Sequence, residues 1–170
     1  RKPRPAGLNF HSAIQREMPG ISSSLHLHPM AGIVVSAMED GLMYFDQNSC
    51  ALYNQVTYHD YEGLAQEADE APRILSDLGD KYVMIMKNHG LLTIGRTIPE
   101  TLAWMGRIAQ ACETQERLLA TGAAPRHLSQ EVVEWTHKQQ QGRSNNEPIG
   151  DVEFQAALRR AARQDPSFMQ

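Results

Sequence analysis

Ser22-Ser23-Ser24-Leu25-His26-Leu27-His28-Pro29 places two imidazoles two residues apart in a segment that alternates like a strand. Residues i and i+2 of a strand share a face, so His26 and His28 project together while Leu25 and Leu27 turn the other way. A shared face of imidazoles suits a divalent metal. Zinc takes imidazole nitrogen at about 2.0 to 2.1 Å, and a catalytic site supplies three protein ligands and keeps one position open. Two ligands are in this segment, and the third must come from elsewhere in the chain.

On either side of the pair the sequence reads as alternating helices and short strands. Phe10-His11-Ser12-Ala13-Ile14 opens a helical stretch that closes at the turn Pro19-Gly20. Pro29 ends the strand and begins a small apolar helix, Met30 to Met38, because proline is accepted in a first turn. After the turn Glu39-Asp40-Gly41, a brief strand is expected over Leu42 to Phe45 and a helical segment over Gln47 to Tyr53. Gln55 to Tyr58 has the β-branched and aromatic content of a strand. A helix capped by Asp69 then carries Ile74, Leu75 and Leu78 to Gly79, with Glu67, Asp69 and Glu70 as charges that favour its N-terminal dipole.

Tyr82 to Met86 is short and continuously apolar, as a strand buried on both faces should be, and Leu91 to Ile94 follows as its neighbour. Thr97-x-x-Glu100 is a capping box with Pro99 in the first turn, and Ile98, Leu102, Met105, Ala109, Cys112 and Leu119 recur near a helical period up to Gly122. A shorter helix is expected after Ser129, an exposed polar linker over 139–148, and a last helix from Asp151 to Arg163 with a solvated ladder of Arg159, Arg160 and Arg163. Met84, Met86 and Met105 read as core filling.

His89 ends the most apolar strand, in a turn before Gly90, where a ligand side chain would point into the crevice beyond the strand ends. It is the candidate third ligand. His11 reads as a buried or capping residue, and His127 and His137 as solvent-exposed.

Bulk properties bound the class. The 170 residues fit one ordinary domain with a packed core, and a net charge of −4 gives no electrostatic reason to expect nucleic acid or an anionic membrane. Cys50 and Cys112 have no CxxC spacing, which argues against a disulfide framework and fits a reducing cytoplasm. No apolar run is long enough to span a bilayer, and the basic start is not followed by a signal-peptide core. The chain does not begin with Met, which suggests a processed or partial polypeptide.

Four pieces together resemble the class II aldolase/adducin family: Phe10 to Ile14, Leu25 to Pro29 with the helix after it, Tyr58-His59-Asp60-Tyr61-Glu62-Gly63, and Asn88 to Gly95 leading into the helix of Glu100 to Leu119. The resemblance implies a three-layer α/β/α fold, with a central mixed or antiparallel sheet flanked by helices. It implies an aldolase-like domain over 1–122, lacking the N-terminal part of the family domain, and a helical C-terminal extension over 123–170. By the same resemblance His26, His28 and His89 hold one divalent ion, zinc or alternatively manganese, and the subunits form a homotetramer. The implied reaction is retro-aldol cleavage of a small hydroxy-carbonyl substrate through a metal-stabilised enediolate. A decarboxylase is the rival within enzymes, and a non-catalytic adducin-like oligomerisation module the rival outside them. The family's acid/base glutamate position, three residues before the Phe-His pair, is Gly7 here, so the proton carrier is sought among Tyr58, His59, Tyr61 and Glu62.

Overall fold

The computed structural model describes residues 5–63, 70–144 and 148–169, with side chains described over 9–63, 70–141 and 148–167. Asp69 and Glu67, the expected cap and helix-start charge, lie outside the described residues. In chain order the elements are α1 (Pro5–Glu17), β1 (Ser23–Leu27), α2 (Met30–Ser36), α3 (Gln47–Ala51), β2 (Val56–His59), α4 (Glu70–Leu78), β3 (Val83–Met86), β4 (Gly90–Gly95), α5 (Ile98–Ala120), α6 (Gln130–Ser144), α7 (Asp151–Gln164) and a closing 3-10 turn, Pro166–Met169.

The four strands form one mixed sheet in the order β1-β4-β3-β2. β4 is antiparallel to both β1 and β3, while β2 runs parallel to β3. Strand alternation sorts the side chains into two cores. Val83, Ile85 and Leu91 face α2 and α5, joining Ala31, Val35, Trp104, Met105, Ile108 and Cys112. Met84, Met86, Leu92 and Ile94 face α1 and α4, joining Phe10, Ala13, Ile14, Ile74 and Leu78. The result is the expected α/β layering, with helices covering both faces of the sheet.

Several local expectations change. Leu42 to Phe45 forms no strand: Leu42 N–H donates to the Tyr58 hydroxyl at 3.0 Å and Met43 N–H to Gln115 Oε1 at 2.8 Å, so side chains take the place of a ladder partner. Gln115 is 1% exposed and its Nε2 also donates to Gly41 O at 2.8 Å, which makes one buried amide the clamp of that loop. On α5 the buried stripe runs through Trp104, Met105, Ile108, Ala111, Cys112 and Gln115, and Ile98 is exposed. The helix packs on β4 and α2 at once, so the face it buries is wider than the single stripe read from the period.

Thr97 caps α5 by accepting from Glu100 N–H, but the other half of the box is absent. The Glu100 carboxylate, itself buried, accepts instead from Arg96 N–H at 2.7 Å and from the Arg96 guanidinium. α6 continues through 139–144, into the stretch expected to be a polar linker, and 145–147 lie outside the described residues. Its His137 is buried, not exposed, with Nδ1 donating to Ala51 O at 3.3 Å and its ring edge-on to Tyr53. Arg159, Arg160 and Arg163 are solvated as expected.

Ile85 is fully buried between the sheet and α5. Ile85→Ala should destabilise the fold by about 2 to 5 kcal/mol, whereas Arg160→Ala should stay within about 0.5 kcal/mol of the parent. Urea unfolding followed by circular dichroism measures both.

Candidate metal centre

The pairing of β1 with β4 sets His26 opposite Leu92, on the α1 side of the sheet. Phe10 of α1 meets the His26 ring edge-on at 5.6 Å between centroids. His28 lies just past the end of β1 on the same face. His89 comes from the tight turn between β3 and β4, whose Asn88 adopts a left-handed φ of 55°, a conformation asparagine tolerates. Three backbone bonds fix that turn: Lys87 N–H to His59 O, Asn88 N–H to Ser36 O and His89 N–H to Met86 O. Gly90 completes it. A Cβ there would stand 2.8 Å from Leu27 O and 2.9 Å from His28 Cδ2, so only glycine lets the β4 backbone pass the His28 ring this closely.

The three imidazoles converge. Ring centroids are 4.6 Å apart for His26 and His28, 4.8 Å for His26 and His89, and 4.7 Å for His28 and His89. One ring nitrogen from each lies within 4.8 Å of the others. His26 Nδ1 stands 2.9 Å from Leu91 O, and because a carbonyl only accepts, Nδ1 carries the proton. In the neutral ring Nε2 is then a bare lone pair, and it faces His28 Nε2 at 2.8 Å. An outer hydrogen bond of this kind fixes the tautomer wherever a histidine ligates a metal.

Burial keeps His26 and His89 in the neutral form that a metal ligand needs. Burial pushes the His26 imidazole down to about 4; the Leu91 carbonyl opposes this, and the neighbouring His89 and His28 rings add to it. Burial also lowers His89, again helped by His28. At neutral pH His26 therefore has no proton to surrender before an ion can bind.

The four candidate proton carriers occupy different surroundings. Tyr61 is 52% exposed, its ring is 6.2 Å from that of His89, and among the described residues its hydroxyl has no hydrogen bond. Tyr58 directs its hydroxyl to Leu42 N–H, and burial raises its pKa. His59 is buried, with Nδ1 donating to Asp77 Oδ2 at 2.7 Å. Glu62 accepts from Arg73 Nε at 2.8 Å. Gly7 sits in the first turn of α1 and offers no side chain. His11 is half-buried, its Nδ1 2.6 Å from Ser24 Oγ, and burial lowers its pKa.

Residues 1–116 match the class II aldolase and adducin N-terminal domain. The chain belongs to the class II aldolase and adducin family. An aldolase class 2 family protein of Pseudomonas aeruginosa is 34% identical over 168 residues, spanning 98% of this chain and 65% of that one. The crystal structure of an aldolase II superfamily protein from Pseudomonas syringae superposes with a TM-score of 0.85 at 34% identity, covering 94% of this chain and 64% of that one. L-fuculose 1-phosphate aldolase from Glaciozyma antarctica gives a TM-score of 0.67 at 28% identity, over 79% of this chain and 50% of that one. Decarboxylase NovR of Streptomyces niveus is 30% identical over 141 residues, 82% of this chain and 52% of that one. The chain thus spans just under two thirds of the first two relatives.

The residues that sequence reasoning undervalued are Glu70 and Asp77, treated as helix charges or not at all. Their spacing carried the signal: Glu70, Ile74 and Asp77 lie at i, i+4 and i+7 of α4, so two carboxylates share the face that Ile74 buries.

Gly90→Ala would press a methyl against the Leu27 carbonyl of β1 as well as the His28 ring, so it should lower stability and also lower affinity for a divalent ion by about 10- to 100-fold. Competition titration against a chromophoric chelator reads the change.

Proposed function

We propose that this chain carries the reaction centre of a divalent-metal-dependent lyase that breaks a carbon–carbon bond of a small hydroxy-carbonyl substrate by retro-aldol cleavage. The observation that carries this reading is the convergence of three imidazoles around one point, with the His26 tautomer set by the Leu91 carbonyl. His26, His28 and His89 would hold the ion through ring nitrogens. Zinc suits that donor set, with manganese the second choice. When bound, the ion supplies Lewis acidity, drawing electron density from the carbonyl oxygen of the substrate.

The residues around the triad then have distinct tasks. The turn bonds of Lys87 to His89 hold the third ligand against the first two. Tyr61, exposed beside His89 and with a hydroxyl free of partners among the described residues, is the proton carrier we favour, able to protonate the carbon left when the bond breaks. Tyr58, His59 and Glu62 are each engaged elsewhere. Assembly as a homotetramer and residence in the cytoplasm belong to the same proposal, as does the division into an aldolase-like domain over 1–122 and an extension over 123–170.

One feature favours decarboxylation as a second reading. Retro-aldol cleavage needs a base to take the proton of a substrate hydroxyl, and the family position for that base is Gly7. Loss of CO2 needs no such base, because the departing carboxylate is already ionised, and only the later protonation remains. The 30% identity to decarboxylase NovR supports the same alternative.

Metal analysis of the purified chain, followed by product analysis, tests these readings. Stoichiometric zinc or manganese that falls in His26→Ala and His89→Ala is the expected result, and a folded chain that binds no divalent ion supports the oligomerisation module instead. Tyr61→Phe should keep its metal and lose about 10²- to 10⁴-fold in turnover. Assays of hydroxy-carbonyl compounds, with L-fuculose 1-phosphate among them, separate the two reactions by whether an aldehyde or CO2 is released.

A further inference from the structure

A second group of ligand-type side chains stands where β2 ends and α4 begins. His59, Glu62 and Glu70 bring ligand atoms within 4.8 Å of one another. His59 is 2% exposed and Glu70 8%. Because Asp77 accepts from His59 Nδ1, the neutral ring presents a bare lone pair at Nε2, and that nitrogen is buried without a hydrogen-bond partner. It faces Glu70 Oε1 at 3.6 Å, beyond hydrogen-bond range. Glu70 has no hydrogen bond of its own among the described residues, and Glu62 is held in place by Arg73.

Electron pairs from the buried His59 and Glu70, with the exposed, Arg73-paired Glu62 beside them, therefore surround one point, and at the burial of Glu70 an uncompensated charge is costly. A cation at that point would offset the Glu70 charge and use the His59 lone pair. A separation of 3.6 Å is what two ligand atoms adopt when each lies about 2.1 Å from a common ion at an angle of roughly 120°. We propose that His59, Glu62 and Glu70 form a second divalent-cation site, with Asp77 positioning the His59 ring as an outer hydrogen-bond partner. One imidazole with two carboxylates is a harder donor set than three imidazoles, so this site should discriminate less against manganese than the triad does. It lies close to the triad. Tyr61, two residues beyond His59, packs against His89.

The test counts ions in the chelator-stripped chain by Mn2+ titration, with electron paramagnetic resonance and elemental analysis as readouts. We expect two ions per wild-type chain and one in His26→Ala/His89→Ala. Adding Glu70→Gln to that double variant should weaken the remaining binding at least tenfold, and Glu62→Gln, at an exposed carboxylate, should do so without touching the core. If the double variant binds no ion while staying folded, the proposal is overturned, and a doubly protonated His59 in 15N spectra would show that a proton fills the place. One ion in both the wild type and the double variant would support this site and count against the triad, so the two readings fail separately.

Discussion

The structure depends on the register of β1 against β4. His26 opposite Leu92 and Leu27 opposite Leu91 put both histidines of the His-x-His segment on one face and bring the Leu91 carbonyl to His26 Nδ1. A slip of one residue would turn both imidazoles to the other face, where α5 lies, and set them against Ile85, Leu91 and Ile108 while Leu25 and Leu27 left that face. The apolar demands of the two cores prevent it. Leu92 and Ile94 are wanted on one side and Leu91 on the other, so the packing of the sheet also aims the imidazoles.

That coupling explains why the convergence of the three candidate ligands was legible. Alternation in Leu25-His26-Leu27-His28 fixed a common face, and the continuous apolar run before Lys87 placed His89 at the end of a buried strand. Both readings rest on backbone periodicity, which tertiary contacts here reinforce. Where tertiary contacts replaced a periodic partner, the reading failed. Leu42 to Phe45 has strand-like side chains but gives its N–H groups to Tyr58 and Gln115, 16 and 72 residues away. Glu100 has the spacing of a capping box but is drawn to Arg96, because a buried carboxylate gains more from a guanidinium than from one amide.

His137 shows the same limit from the other side. In sequence it sits amid glutamines and charges, and nothing local distinguishes it from an exposed residue. Its burial comes from α3, whose Ala51 carbonyl and neighbouring Tyr53 ring receive it. The helix runs on into the polar stretch after it, a continuation the composition of 139–144 does not reveal.

The placement of the three imidazoles also bears on how the chain reaches its native state. His89 belongs to a hairpin whose strands are close in sequence, while His26 and His28 must be brought to it across some sixty residues by the β1–β4 ladder. Contacts of such long range form late, since the intervening loop must first be closed. The hairpin therefore has the shorter loop to close, and the triad comes into being only when the edge strand docks. An ion that recognises all three rings would bind only the finished fold and draw the folding equilibrium toward it.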